Sequence, residues 1–129
     1  CSDSASQLIY VKPNANTNFS IALNNQCFKN NAFDFNNLSS ISNGTFNSLW
    51  QFGNGSSSSV NNPSGINYSS FNDSFIVKLV TTSNFQCKDS IQKTTYLRPS
   101  PIVSFTINDS SQCKNQNKFR FTNTSRLLI

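Results

Sequence analysis

The chain has 129 residues, enough for one ordinary core, and a chain of this size buries roughly two-thirds of its unfolded surface on folding. Its 21 Asn and 23 Ser, with no Glu, His or Met, disfavour helix because these side chains compete for backbone hydrogen bonds, while twelve Phe in alternating patterns argue against disorder. The net charge of +5 comes from ten Lys and Arg scattered singly, unlike the clustered basic strip of a nucleic-acid binder, and no run nears the roughly 20 apolar residues of a membrane span.

Neither nucleic acid as a partner nor membrane insertion is therefore expected. The N-terminus has no basic-then-apolar signal pattern, so the chain reads as soluble as presented, though it need not be a complete gene product.

Alternation of apolar and polar residues, bounded by Asn, Gly, Pro and Ser, predicts seven short strands. They fall near 17–23 (Phe19, Ile21 and Leu23 on one face), 31–37 (Phe33, Phe35), 46–52 (Trp50, Phe52), 57–61, 65–69, 74–83 (Phe75, Val77 and Leu79 on one face, Ile76 and Val80 on the other) and 89–97. Short strands with turns between them predict an all-β antiparallel sandwich. The third strand runs into "SLWQFGNGSSSS", residues 48–59, which holds the only tryptophan. Trp50 and Phe52 have two readings, a platform for a sugar ring or a seat in the core, and the alternation favours the core. Gly53 and Gly55 supply positive φ for a tight turn. Serines 56–59 have no His, no Glu and no nearby Lys to serve as a base, and the five Asp lie too far apart to form a carboxylate pair. No catalytic residue is expected, and no enzyme.

Shifted by 86 positions, residues 1–43 overlie 87–129 without a gap and with fourteen identities, among them Cys1/Cys87, Asp3/Asp89, Tyr10/Tyr96, Pro13/Pro99, Phe19/Phe105, Cys27/Cys113, Phe33/Phe119 and Phe35/Phe121. The chain is one and a half periods long, a slice of a tandem array. Divided at the prolines, residues 1–12 are the last strand of a preceding repeat, 13–98 a complete repeat, and 99–129 the first two strands of a following one.

"LWQFGNG", followed by "NNPSGINYSSFNDSFIVKLVTTSNFQC" and the final strand "DSIQKTTYLRP", resembles the PKD (polycystic kidney disease) domain, marked by a W-D-F-G-D-G turn, a later H-T-Y, and P-G-x-Y before an alternating strand. Trp50, Phe52, Gly53, Gly55 and Tyr68 carry the likeness, which spans residues 13–98. The added Gln-Cys and Cys-x-Asp-Ser elements look like the variant found in tandem in very large secreted surface proteins of gliding, Bacteroidetes-type bacteria. The resemblance implies an immunoglobulin-like β-sandwich and a spacer or adhesive role at a cell surface, without catalysis or cofactor. Three departures stand out: Gln51 and Asn54 replace both acids of the turn, Asn67 precedes Tyr68 without the customary His, and Asn72-Asp73 replace Pro-Gly. Neutral amides are weaker ligands for a hard cation than carboxylates, so no metal site is expected.

The four cysteines, Cys1, Cys27, Cys87 and Cys113, have no His partner and no CxxC spacing, which points away from zinc and toward an oxidising compartment outside the cytoplasm. Simple bookkeeping pairs Cys27 with Cys87 inside the complete repeat. Strand counting puts Cys27 in the turn after the first strand and Cys87 in the last hairpin, at opposite ends of a strand ~23 Å long, whereas a disulfide needs Cα atoms within ~7 Å. That favours a bond from Cys27 to the hairpin cysteine of the next repeat; within-repeat pairing and free thiols remain the alternatives. Asp3-Ser4-Ala5 and Asp89-Ser90-Ile91 resemble the Asp-Ser/Thr-apolar acceptor of Bacteroidetes-type O-glycosylation, which makes Ser4 and Ser90 candidates, although hairpin shaping is the simpler reading.

These readings combine into a non-enzymatic extracellular module of a tandem-repeat bacterial adhesin or surface filament, of the kind used in gliding motility. Its partners are neighbouring repeats of the same chain and, at the surface, glycans or other cells. The alternative is a glycan-binding or spacer module of a secreted hydrolase. An exposed cluster of aromatic rings would mark a binder, and burial of nearly all Phe and Trp a spacer.

Overall fold

The computed structural model describes residues 1–71 and 73–128 and, among the described residues, contains strands and turns but no helix. Its longest hairpin grows from the clearest pattern in the chain. Along β8 (Ser74–Ser83) every second side chain, Phe75, Val77, Leu79, Thr81 and Ser83, is buried. After the turn, β9 (Lys88–Arg98) returns antiparallel, in register from Thr82↔Lys88 to Ser74↔Tyr96. Ser83 closes this turn: its N–H donates to the Cys87 carbonyl and its Oγ accepts from the N–H groups of Phe85 and Cys87.

The other edge of β8 pairs with β6 (Phe46–Gln51), which turns back into β7 (Ser57–Ser58), while β3 (Asn25–Cys27) adds to the far end of β9. The sheet order is β3-β9-β8-β6-β7. Two short ladders face it: β1 (Ala15–Asn16) with β5 (Ser40–Ile41), and β2 (Phe19–Ile21) with β4 (Phe35–Asn37). Phe19 and Phe35 project from the second ladder onto Trp50 of β6, with ring centroids 5.0 and 5.7 Å away. Such aromatic pairs add about 0.5–1.5 kcal/mol each beyond the area they bury. Val77, Leu79 and Leu97 complete the core, and every buried residue among those described lies between Ala15 and Ser100.

Between Lys88 and Thr95, β9 pairs only with β8 and is an edge strand. Its inward positions there include two charges, a device that discourages pairing with foreign strands. Lys93 lies 5.0 Å from the centroid of the Phe19 ring and donates to the Phe19 carbonyl. Asp89 accepts from the Thr17 N–H at 2.9 Å, and the Thr17 hydroxyl meets that of Thr81. These contacts tie the start of the sandwich to the hairpin end of β9.

Several sequence expectations change. The strand expected over 17–23 shortens to β2, a separate β1 that the pattern did not predict ends before it at Asn16, and Leu23 is exposed because β2 ends at Ile21. The strand expected over 31–37 shortens to β4, preceded by a lone bridge from Phe33 to Ile66. That bridge is all the ladder structure found over 65–69, and 57–61 shortens to β7, as backbone N–H groups there bond to side chains instead: Val60 to Ser58, Gly65 to Asp34 and Tyr68 to Asn31. Cys27 sits in a strand rather than a turn, and β3 runs parallel to β9 in an otherwise antiparallel sheet. Residues 1–12 form no strand and lie beside no partner edge. Asn72, the first residue in place of Pro-Gly, lies outside the described residues.

Beyond the core, β9 runs through Pro99 into β10 (Ser100–Ile102), which pairs with β13 (Arg126–Leu128), and β11 (Phe105–Ile107) pairs with β12 (Phe121–Asn123). The register Phe105↔Asn123, Thr106↔Thr122, Ile107↔Phe121 is that of Phe19↔Asn37, Ser20↔Asn36, Ile21↔Phe35 moved by 86 residues, and Pro101↔Leu127 likewise matches Ala15↔Ile41. The environments differ sharply: Phe19 and Phe35 are 0% and 1% exposed, Phe105 and Phe121 63% and 66%.

The Thr17 N–H, and next its hydroxyl, hold the Asp89 carboxyl below the usual carboxylate range. A lowered folded pKa contributes stability that is complete above the unfolded value and lost as pH falls through the folded one. Wild type is therefore expected to lose stability between about pH 5 and pH 2 by an increment that Asp89→Asn lacks. Urea midpoints across that range check it, and identical pH dependence in the two proteins would contradict it.

Candidate functional site

The turn after β6, expected from the sequence to be a strand end and tight turn, forms a corner of the sandwich. Alternation carries Trp50 inward, where its Nε1–H donates to the Val60 carbonyl at 3.0 Å and satisfies the one polar atom of a fully buried side chain. Phe52 is buried beside it. The Phe52 N–H donates to the Ser56 carbonyl at 3.1 Å, closing a turn through Gly53 and Gly55, whose φ angles are 80° and 87°. At Gly53 a Cβ would stand 2.7 Å from the Ile76 carbonyl oxygen, whereas at Gly55 it would meet nothing within 4 Å. The first glycine lets β6 leave the sheet directly against the backbone of β8; the second only shapes the turn.

Tyr68 locks this corner from the opposite layer. Its hydroxyl donates to the Phe52 carbonyl at 2.8 Å, and its ring stacks on Phe75 with centroids 3.9 Å apart. Burial pushes the Tyr68 hydroxyl up to about 12. Asn54, which stands where an acid of the resembling motif would be, aims its Oδ1 at Ser56, accepting from the N–H at 3.0 Å and from the hydroxyl at 2.6 Å. Gln51 is exposed at the end of β6. Among the described residues no three of His, Cys, Asp and Glu gather into a group that could hold a metal. The hollow lined by Asn54, Tyr68, Ser69, Ser70 and Phe75 has about 180 Å³, and a shallow one over Gln51, Gly53, Gly55, Ser56 and Ser57 about 360 Å³ with no ring or charged group in its lining.

Two residues that the sequence reading left out set this geometry. Buried Asn31 grips the backbone of Tyr68 at both ends: its Oδ1 accepts from the Tyr68 N–H at 2.8 Å and its Nδ2 donates to the Tyr68 carbonyl at 3.0 Å. Gln26 does the same for Ala32, with bonds of 2.9 and 2.8 Å. Both positions are identical 86 residues on, at Asn117 and Gln112, and Gln112 clamps Lys118 in the same way. Identity across the period was the signal that marked them.

The remaining candidates do not converge. Cys1 and Ser4 lie in the exposed segment without ladders, Cys113 is exposed in the loop between β11 and β12, and all four cysteines are free thiols. Cys27 is level with Arg98, whereas Cys87 precedes Lys88 at the far end of the same strand. At about 3.3 Å per residue the two stand roughly 35 Å apart along β9, which overturns a bond between them within one repeat. Ser90 is exposed beside Asp89, whose carboxylate accepts from the distant Thr17 N–H and not from a group within the hairpin.

Gly55→Ala is expected to cost ~1–2 kcal/mol for the left-handed backbone alone, and Gly53→Ala about 1–3 kcal/mol more because β8 must shift. Urea denaturation measures the difference, and equal losses would refute the close approach. Tyr68→Phe leaves the Phe52 carbonyl without its donor and is expected to cost about 1–3 kcal/mol. Because the folded pKa of Tyr68 is raised to about 12, its contribution is complete below the unfolded value of 10.0 and is lost as pH rises toward 12. In the native protein, absorbance titration should show one of the three tyrosines ionising only near that upper value.

No protein-family profile matches the chain, and no curated protein matches it. Among solved structures, the chain is similar to the PKD1 domain of the Vibrio cholerae metalloprotease PrtV, with 27% identity and a TM-score of 0.54 over 63% of this chain and 93% of that domain. The PKD1 domain of Vibrio anguillarum Epp shares the fold at 24% identity and a TM-score of 0.50, over 66% of this chain and 92% of that domain. The chain thus has the all-β, immunoglobulin-like sandwich fold of PKD domains.

Proposed function

We propose that this chain is a non-enzymatic extracellular structural module, one stretch of a tandem-repeat adhesin or filament at a bacterial cell surface. The observation that carries the reading is the recurrence of one ladder register at a spacing of 86 residues, with the core rings of the first copy bare in the second. Phe105, Phe119 and Phe121 stand where Phe19, Phe33 and Phe35 are buried in the core with Trp50 and Tyr68, so a continuing repeat would cover them in the same way. The join is suited to transmitting force. β9 passes through Pro99 into β10, and the Lys29 N–H donates to Ser100 Oγ at 2.8 Å, so the link is pinned at the point where a flexible hinge would be free.

A second reading, a spacer attached to a hydrolase, is favoured by the likeness to a PKD domain of a metalloprotease. Both readings call for a passive module, and ring burial agrees: between residues 13 and 98 no Phe or Trp is exposed.

Appending a copy of residues 44–98 after Ile129 completes the second repeat in phase. The extended protein is expected to lose the fluorescence of a dye that binds bare apolar surface, to resist protease over its added part, and to lengthen in solution scattering by roughly 35 Å, the length of an 11-residue strand. An added part that stays protease-sensitive, with dye binding unchanged, would overturn the tandem reading.

A further inference from the structure

Each end of the sandwich carries one cysteine. Cys27 is exposed on β3, level with Arg98, one residue before the link to the following segment. The same end is docked onto that segment, since the Phe28 N–H donates to the Arg98 carbonyl and the Lys29 N–H to Ser100 Oγ, both at 2.8 Å. Cys87 is half-buried at the opposite end, just past the β8–β9 turn. There the chain leading in from Pro13 is fastened, through Thr17, to Asp89. One cysteine thus marks the end where a repeat finishes and the other the end where it starts.

We infer that each junction between repeats is clasped by a disulfide from Cys27 of one repeat to the cysteine equivalent to Cys87 in the next. This rests on the tandem reading above. When the finishing end of one sandwich abuts the starting end of the next, these two thiols face a single junction, whereas roughly 35 Å of β9 separates them within a repeat. The scheme uses both cysteines of every repeat once. Cys113, the equivalent of Cys27, and Cys1, the equivalent of Cys87, belong to further junctions, so none of the four finds its partner among the other three. Closure breaks two S–H bonds and forms one S–S bond. The two protons and two electrons pass to a disulfide oxidant, either oxidised glutathione or a thiol–disulfide oxidoreductase, which leaves as two thiols.

The test uses two proteins with two cysteines each. The 129-residue chain carrying Cys1→Ser and Cys113→Ser keeps Cys27 and Cys87. The chain extended by residues 44–98, carrying those changes and Cys87→Ser, keeps Cys27 and the hairpin cysteine of the appended copy. After equilibration with oxidised and reduced glutathione, the first is expected to retain both thiols in a thiol titration. The second is expected to lose both within one chain, with its mass lower by two hydrogens and no dimer on a non-reducing gel. Closure in the first protein would overturn the clasp, as would retained thiols or only interchain dimers in the second while its added repeat resists protease. An added repeat that remains protease-sensitive would instead overturn the tandem reading beneath it.

Discussion

The ladder between β8 and β9 is the constraint from which the rest of this molecule follows. Its nine register pairs hold two strands of ten and eleven residues together along the length of the sandwich. One face of β8 supplies Phe75, Val77 and Leu79 to the core, so the facing ladders have something to cover. The other strand reaches both ends, meets the incoming chain at Asp89, and continues past Arg98 into the next segment. Ends this far apart are mechanically useful only if the strands between them cannot slip. A one-residue slip would turn every buried side chain of β8 outward, and the loss of that buried surface opposes it.

Against this frame the corner after β6 is a solution to a packing problem. Trp50 and Phe52 must both face inward, yet the chain must leave the sheet immediately afterwards. Only a residue without a side chain fits under Ile76 at Gly53, and Tyr68 then bonds to the Phe52 carbonyl that this departure leaves without a ladder partner. The amides at Gln51 and Asn54 are compatible with that structural task because Asn54 bonds within the turn. A corner built this way holds its shape through packing and neutral hydrogen bonds.

How much of this was legible in the sequence depended on the range of the interactions. The 74–83 strand could be read to the residue because both its faces are patterned, and the inward placement of Trp50 and Phe52 followed from the same alternation. The strand of Asn25, Gln26 and Cys27 could not, since it has no apolar alternation and exists because a distant edge at Tyr96–Arg98 pairs with it in parallel. Residues 1–12 show the converse. Their equivalents 87–98 contain all of β9, yet the same kind of sequence stays out of any ladder where no partner edge lies beside it. The clamps made by Asn31 and Gln26 were hidden in a chain crowded with amides, and only identity across the period distinguishes them from the many Asn that merely shape turns.

The treatment of edges connects the fold to its proposed role. Where β9 is unpaired beside β8, Asp89 and Lys93 point inward, so a lateral neighbour gains little by adding a strand there. Among the Phe and Trp rings, the exposed ones lie instead on the segment of residues 100–128, where Phe105, Phe119 and Phe121 stand free. A sandwich with a guarded β9 edge and bare core-type rings on the segment that follows it favours addition at that end. The pinned link at Ser100 points the same way, because a module docked onto its successor resists bending at the joint, and pulling on such a chain loads β-ladders along their strands. In the proposed array each sandwich would be loaded in shear across the β8–β9 ladder, an arrangement that suits the structural role proposed above.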